Sequence, residues 1–425
     1  MNPVLRPEMD IFQRWQTQYS MEKCRLERFR PINALNNASD LELYLPGSGD
    51  DYSWPMKHYL LLAVKVTNAD GTDLADVDKT IPVNNFMHSL WKNVEVVING
   101  TKITPSNGNY GYKAMFEKLL SYGDCALESW CEASLFVKDT AGQMNHVDDN
   151  VGGVKRRTFI AESKTVDMMG PLHIDLFQQG RLLPNGLSMS IKLSRNNTDF
   201  SLMIPDANGR KIEIVTAALM MMKVKPNAST AAAHAKVFQN DLAMYPIRRS
   251  EHKTFIISKD RQSHTIENVC SGQLPRRVVI GMVSNEAFNG HRAMNPFEFK
   301  HYKLNKIALY LDGELNPTYP LTPDFTNDLY IRSYMSLFDG TGKQNQDEGL
   351  IVSRSDYAKG YTLFVFDLSS DMSADATYCD TIKTGSFNLD FSFAEKTPET
   401  INVIVRLEFD SLVKIDRNKN VILDY

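Results

Sequence analysis

Residues 91–123, WKNVEVVINGTKITPSNGNYGYKAMFEKLLSYG, decide the fold because they join a β-hairpin to a helix. Every second residue from Val94 to Ile98 is apolar, which is the period of a half-buried strand. Asn99-Gly100 then predicts a two-residue type I′ turn, in which both central residues need a positive φ. Beyond the return strand, apolar residues recur from Tyr112 at i, i+3, i+4 and i+7 and predict a short helix.

The same pattern occurs a second time, at residues 305–342, NKIALYLDGELNPTYPLTPDFTNDLYIRSYMSLFDGTG. Asp312-Gly313 repeats the hairpin turn, and a second apolar helical stripe starts at Ile331. The two turns lie 312 − 99 = 213 residues apart, about half of the 425 residues. Solenoid repeats have periods of roughly 20–50 residues, so this spacing predicts a duplicated domain.

Later strands of the two halves also match in order. Residues 189–193 correspond to 387–391 at an offset of 198, and residues 212–214 correspond to 401–403 at an offset of 189. Strand order is therefore kept while loop lengths differ. Each half has length for about eight strands, so we predict an all-β fold of two tandem eight-stranded antiparallel jelly rolls, a double jelly roll, with short inserted helices.

This repeat also predicts how the chain is divided. The predicted parts are an N-terminal arm at 1–30, a first jelly roll at 31–225, an alanine-rich helical connector at 226–243 and a second jelly roll at 244–425. Segments 123–165 and 339–360 follow the two helices and have no clear periodicity. Irregular segments of such length are usually functional or interfacial.

Composition excludes several classes of protein. Net charge is −4, which gives no general electrostatic attraction to nucleic acid, and the arm is only mildly basic. Apolar runs all fall short of the roughly 18–20 residues that a membrane span needs. The five cysteines are odd in number and scattered, which predicts free thiols and folding in a reducing compartment.

Candidate chemical motifs are weak. The nine histidines form no H-x-H or H-x-x-x-H pair, so we interpret them as unrelated surface or structural residues. Gly340-Thr-Gly-Lys343 lacks the upstream glycine and the Ser/Thr of a phosphate loop, and the end of a helix is the better interpretation. The acidic pairs 148–149 and 347–348 match no calcium-loop pattern and are interpreted as solvated. We predict no enzyme, and no catalytic, cofactor-binding or metal-binding residues.

Two further motifs leave alternatives open. The arginine pairs 248–249 and 276–277 flank strands, where they could meet a carboxylate across a subunit interface or lie solvated at a strand end. The run 219–222, LMMM, is best interpreted as core filling, since methionine adapts to irregular packing, with an interface role as the lesser alternative.

The chain resembles a known family. Stretches along nearly its whole length, in one order, are similar to the hexon-like double jelly-roll major capsid proteins of Polinton/Maverick elements and adintoviruses. The most specific stretches are 46–52, 119–123, 163–167, 245–249, 272–276, 286–290, 295–297, 338–343, 356–357, 360–364 and 409–425. The first 20 residues carry little of the resemblance.

The resemblance implies a structural protein of the virion. Such proteins form homotrimers whose six rolls make a pseudo-hexameric capsomer, and capsomers build an icosahedral shell together with penton and minor capsid proteins. It implies no sequence-specific nucleic acid contact, and assembly inside the host cell, in the nucleus. We expect segments 123–165 and 339–360 to form an outer crown or an intersubunit clasp.

Two other classes of function remain. A tandem jelly-roll carbohydrate-binding or adhesin module would need an aromatic platform or calcium site at its loop tips. A jelly-roll enzyme would need clustered metal ligands or paired carboxylates on inward strand positions. A domesticated capsid protein without a virion would share the fold of an active one.

Overall fold

The computed structural model describes residue 9 and residues 17–35, 40–47, 49–104, 108–205, 209–344, 346–347 and 349–424. The strands of the first half are β1 (Met21–Phe29), β2 (Leu41–Leu45), β3 (Tyr52–Asn68), β4 (Ile81–Pro82), β5 (Trp91–Ile98), β6 (Thr101–Lys102), β7 (Val166–Gly170), β8 (Met189–Arg195), β9 (Leu202–Met203) and β10 (Arg210–Pro226). Those of the second half are β11 (Ala243–Ile257), β12 (Ser263–Gln273), β13 (Arg277–Ser284), β14 (Leu304–Leu311), β15 (Glu314–Leu315), β16 (Leu363–Asp367), β17 (Thr384–Phe393), β18 (Ile401–Ile415) and β19 (Val421–Asp424).

Helices lie mainly in the connections. They are α1 (Phe86–Ser89), α2 (Tyr110–Ser121), α3 (Asp124–Leu127), α4 (Val151–Ile160), α5 (Thr198–Ser201), α6 (Ala228–Val237), α7 (Asn285–Asn289), α8 (Ile331–Asp339) and α9 (Arg354–Tyr357). Single turns of 3-10 helix occur at Trp130–Ser134, Ala161–Ser163 and Asp175–Gln178.

The two halves have the same strand topology. In the first half the sheets have the orders β1-β10-β3-β7 and β2-β8-β5-β6, and in the second β11-β18-β13-β16 and β12-β17-β14-β15. If β4, β9 and β19 are set aside and the strands of each half are counted in chain order, both halves have sheets of order 1-8-3-6 and 2-7-4-5. The pairings are antiparallel. The predicted double jelly roll is therefore confirmed.

The repeated hairpins have the predicted turns. Asn99 and Gly100 have φ values of 46° and 85°, and Asp312 and Gly313 have φ values of 51° and 83°. In each hairpin the residues that flank the two-residue turn are paired. A positive φ at both central residues is what a type I′ turn requires, so the local sequence determines both hairpins.

The two rolls are joined by buried apolar contacts. Tyr245 and Val413 of the second roll belong to the core that fills the first sandwich. A separate apolar cluster joins Phe116 of α2 to Val279 and Ile404 of the second roll. The two rolls consequently share buried apolar surface and form one body.

Two predictions about connecting segments need correction. Met21–Phe29, which we placed in the arm, is strand β1 of the first roll, and its last residue, Phe29, is buried in that core. Of the arm before β1, residues 1–8 and 10–16 lie outside the described residues. Segment 123–165, predicted to be irregular, contains α4, whose buried stripe is formed by Gly152, Gly153, Arg156 and Ile160. A stripe of glycines and an arginine has no apolar periodicity, so the sequence pattern did not reveal the helix.

Helix α6 lies inside the predicted connector and none of its residues is buried. Its first turn is capped by Asn227, whose side chain accepts a hydrogen bond from the Ser229 N–H. The division of the chain into an arm, two rolls and a connector at the stated bounds stays a prediction.

Candidate functional site at the seam between the rolls

Helix α2 lies between the two rolls, and we call the contact it makes with the second roll the seam. Eleven of its twelve residues are buried, which happens when a helix is covered on opposite sides. On the second roll it packs against the outer face of the sheet β11-β18-β13-β16. Phe116 stacks on His252 of β11 with ring centroids 6.3 Å apart, and it contacts Phe299 at 5.3 Å.

Glu117 is the central charge of the seam. Its carboxylate accepts a hydrogen bond from His173 Nδ1, lies 3.4 Å from Arg406 Nη2 of β18, and accepts from Gln178 Nε2 at 2.8 Å. Burial alone would raise its pKa, but His173, Arg406 and Lys113 outweigh burial and lower the pKa of Glu117 below its ordinary value. The carboxylate therefore stays ionised and ties the first roll to the second.

One turn earlier on α2, a second ion pair extends the seam. Lys113 pairs with Asp175, and both side chains are almost fully buried. Asp175 also accepts hydrogen bonds from the N–H of Ser250 at 3.0 Å and from its hydroxyl at 2.9 Å, and Ser250 belongs to β11. Asp175 therefore joins α2 of the first roll to β11 of the second.

Four histidines surround these charges and are held neutral. Burial lowers the pKa of His58 to about 4 and lowers that of His88, His173 and His252 below the ordinary value. The rings of His88 and His173 lie 4.6 Å apart. These four are buried and structural, as one branch of the sequence interpretation has it, but His88 and His173 are in contact and are therefore not unrelated. The cavity beside His173 and His252 is about 30 Å³, room for about one or two waters.

A second group of contacts crosses between the rolls at residues 138–156, which we call the clip. Asp139 pairs with the buried Arg156 and accepts from Asn150 Nδ2 at 2.7 Å, all within the first roll. It also accepts from Asn295 Nδ2 at 3.0 Å, and its carbonyl accepts from the Tyr361 hydroxyl at 2.7 Å, both in the second roll. The segment that we expected to form a crown or an intersubunit clasp thus clasps the two rolls of one chain.

Lysine 138 strengthens the clip. Lys138 Nζ lies 2.7 Å from Asp356 Oδ2 and donates to the Ile351 carbonyl at 2.6 Å. The cation beside it lowers the pKa of Asp356, although burial, the largest single influence, acts in the opposite direction. Both residues are partly exposed, so this pair contributes less than the buried pairs of the seam.

The arginine pairs found in the sequence meet carboxylates within the chain. Arg276 lies 3.0 Å from Asp410 Oδ2, and Arg248 contacts the other oxygen of the same carboxylate. Arg277 lies 3.2 Å from Glu408, which also contacts Arg406 at 2.9 Å. Arg248, Arg276 and Arg277 are therefore not solvated strand ends, because their carboxylate partners lie in the same chain.

The remaining motifs have ordinary structural roles. Helix α8 ends at Gly340, as interpreted, but Gly340 has a φ of −72°, and a Cβ there would lie 2.5 Å from Val365 Cγ1. Close packing therefore requires this glycine. Asp148 pairs with Lys79 at 2.6 Å in an exposed position. Within the described ranges, no group of three or more His, Cys, Asp or Glu side chains is placed to hold a metal ion.

The methionine run divides between two faces. Leu219 and Met221 point into the first core and are fully buried. Met220 and Met222 point outward and are only partly buried. Core filling thus accounts for half of the run. All five cysteines are free, as predicted.

The sequence analysis did not predict the seam, although the sequence of β18 contains a sign of it. Arg406 and Glu408 alternate with buried Val405, Leu407 and Phe409 in a strand that is buried on both faces. Charged residues with a period of two inside an apolar strand indicate a buried polar face. The partners on α2 could not be found in this way, because their polar character resembles that of a solvated helix face.

With this geometry in place, the chain can be compared with known proteins. No protein-family model matches it. The uncharacterized protein F54H12.2 of Caenorhabditis elegans is 24% identical over 424 residues, which cover 96% of this chain and 99% of the relative. Among the described residues, no helix is both long and apolar enough to cross a membrane.

Solved structures of viral proteins share the fold. A chain of the Sputnik virophage matches with a TM-score of 0.63 at 12% identity, covering 100% of this chain and 93% of its own. The Faustovirus major capsid protein matches at 0.61 and 8% identity, over 97% and 92%. The mavirus major capsid protein matches at 0.51 and 12% identity, over 100% and 96%. The chain therefore has the fold of viral double jelly-roll major capsid proteins. At sequence identities this low, the structural matches establish the fold only, and a fold alone does not determine function.

Proposed function

We propose that this chain is a major capsid protein, of the kind found in Polinton/Maverick elements and adintoviruses, that trimerises into pseudo-hexameric capsomers. The capsomers would tile an icosahedral shell. The observation that carries this proposal is the full-length match of a fixed pair of rolls to viral major capsid proteins. The resemblance of the sequence along nearly its whole length to the Polinton and adintovirus proteins supports the narrower assignment.

The geometry of the seam supports a capsomer because it fixes the two rolls side by side. Contacts from the first roll reach β11 at Tyr245, Ser250 and Thr254. These residues are spread over about 30 Å of strand at about 3.3 Å per residue. Two rolls of equal topology, held parallel along this length, give one chain two similar walls. Three chains around a three-fold axis would then supply six.

A structural role also fits the chemistry of the seam. Its charges are buried, paired and closed to substrates, so they serve to fix one orientation of the rolls, as buried polar networks can do. We propose the virion as the location, assembly inside the host cell with the nucleus as the compartment, and penton and minor capsid proteins as further partners. No enzymatic step is part of this proposal.

Light scattering coupled to size exclusion tests the oligomer. The expressed chain should have three times the monomer mass of 48.2 kDa at micromolar concentration. A stable monomer under those conditions would refute the proposed function.

A further inference from the structure

The outer face of the sheet β1-β10-β3-β7 carries apolar side chains that are partly exposed. On β3 and β10, residues that point inward are fully buried, and their neighbours form the opposite face. Tyr59 is 38% exposed and Met169 is 36% exposed. We call this surface the outer strip, and it consists of Leu26, Tyr59, Leu61, Met169, Met220 and Met222.

The pairing of the strands makes the strip continuous. Met220 pairs with Tyr59 on one side and with Arg28 on the other. Leu61 pairs with Met169 on the edge strand β7. Side chains directly opposite each other on neighbouring strands point to the same side of a sheet, so these residues form one surface across four strands.

The second roll shows what covers the equivalent face. In β11-β18-β13-β16, which has the same strand order, Val279 and Ile404 are at most 1% exposed. Part of the cover is α2, which belongs to the insertion between the fifth and sixth strands of the first roll, and the second roll's own helix α8 packs on the edge strand β16. Within the chain, the first roll's insertion thus covers part of the second roll's outer face.

The second roll has the corresponding insertion, and one side of this insertion is exposed. It spans residues 316–362 and exposes Tyr319 at 72%, Leu329 at 68% and Ile331 at 47%. Arg332 donates to the carbonyls of Pro320 and Tyr319, which holds this surface together. In α8 only two of nine residues are buried, against eleven of twelve in α2.

We infer that the outer strip of one copy of this chain receives the 316–339 part of the insertion from a neighbouring copy. The contact is heterologous, because face and insertion are different surfaces, and it closes into a ring of three. This inference rests on the proposed function and adds the surfaces that build the trimer.

The charges beside the outer strip and on the insertion are of opposite sign, which also favours contact between two copies of this chain. Arg28 and Lys57 are exposed beside the strip, and Lys57 Nζ lies 4.4 Å from the ring centroid of Trp54, which pairs with Met222. The insertion presents exposed Asp328 and Asp339. The seam has the same arrangement of charges, because there the insertion supplies the negative Glu117 and the sheet face supplies the positive Arg406.

Two single variants test the contact. Y59E places a charge on the strip, and L329D places one on the insertion. Each variant alone should lose the trimer and have the mass of one chain at the concentration where the wild type is trimeric. V77D is the matched control, because Val77 is apolar, 84% exposed and in neither surface, and it should remain trimeric.

Mixing the two variants gives the sharper result. The insertion of the Y59E chain and the strip of the L329D chain are both intact, so an equimolar mixture should form dimers that cannot close into a ring. Monomers in the mixture, or trimers of either variant alone, would overturn the inference.

Two controls keep the outcome decisive. A monomeric wild type would refute the proposed function together with this inference, whereas a trimeric wild type with trimeric variants would refute the inference alone. Circular dichroism reports whether each variant folds. If Y59E does not fold, M169E carries the same charge onto the strip at its edge strand.

Discussion

Replacing Glu117 with glutamine removes a carboxylate that contacts both rolls at the seam, His173 in the first and Arg406 in the second. Its side chain is 5% exposed, that of Arg406 is 10% exposed, and their charged atoms lie 3.4 Å apart. At an effective dielectric constant of about 20, unit charges at that distance attract by about 5 kcal/mol, and desolvation offsets part of this. E117Q leaves Arg406 buried with one carboxylate fewer, so we expect a loss of about 3–5 kcal/mol in unfolding free energy.

Urea unfolding followed by circular dichroism measures this loss. The matched control is D73N, which breaks the exposed pair of Asp73 with Lys65 and should cost less than about 1 kcal/mol. The double variant E117Q/R406Q should lose less than the sum of the two single variants, because the second change removes the charge left unpaired by the first. If E117Q costs no more than D73N, the charges of the seam do not hold the rolls together.

Two further predictions follow from buried groups. The free energy of unfolding should be constant above pH 6.5 and should fall as the pH drops from 6.5 to about 4. In this range His58 is protonated in the unfolded chain but not in the folded chain, where its pKa is about 4, and the difference amounts to about 3 kcal/mol. Unfolding curves should show a weaker pH dependence for H58Q, and an unchanged one for the control H146Q, whose histidine is exposed. G152A should lower the free energy of unfolding by about 1–3 kcal/mol, because a Cβ there would lie 2.0 Å from the Lys138 carbonyl oxygen in the clip. The control is G180A, whose Cβ would meet no atom within 4 Å, and thermal melts should show its stability within about 0.5 kcal/mol of the wild type. Equal pH profiles for H58Q and wild type, or equal melting temperatures for G152A and G180A, would contradict these expectations.

The acid sensitivity has a local structural cause. Nε2 of His58 accepts a hydrogen bond from the Leu172 N–H at 2.7 Å, and Nδ1 contacts the Pro55 carbonyl. A second proton on this imidazole would displace the Leu172 bond. The ionised Glu117 acts in the same direction, because its lowered pKa adds stability above its ordinary pKa that is lost as the carboxyl is protonated.

Local patterns were sufficient for the fold. The turns at Asn99-Gly100 and Asp312-Gly313 are specified by their own residues, and their spacing revealed the duplication. Strand β1 escaped prediction because eight of its nine residues are at least partly exposed, so an edge strand looked like a polar arm. Alternation alone also did not show which residues of the run 219–222 face the core.

The candidate site was beyond local patterns. Glu117, His173 and Arg406 are far apart in sequence, and their significance arises only when α2 is inserted between the rolls. A charged residue on a helix is usually solvated, so the sequence favours the wrong environment for Glu117. Contacts of this kind depend on tertiary packing, which single-sequence periodicity does not report.

Negative-stain electron microscopy of the expressed chain tests the capsomer directly. We expect closed particles of hexagonal outline, about 70–90 Å across for three chains of this length at domain packing density. Each particle should contain six rolls around a three-fold axis. Particles of the size of a single two-roll chain, without a hexagonal outline, would contradict it.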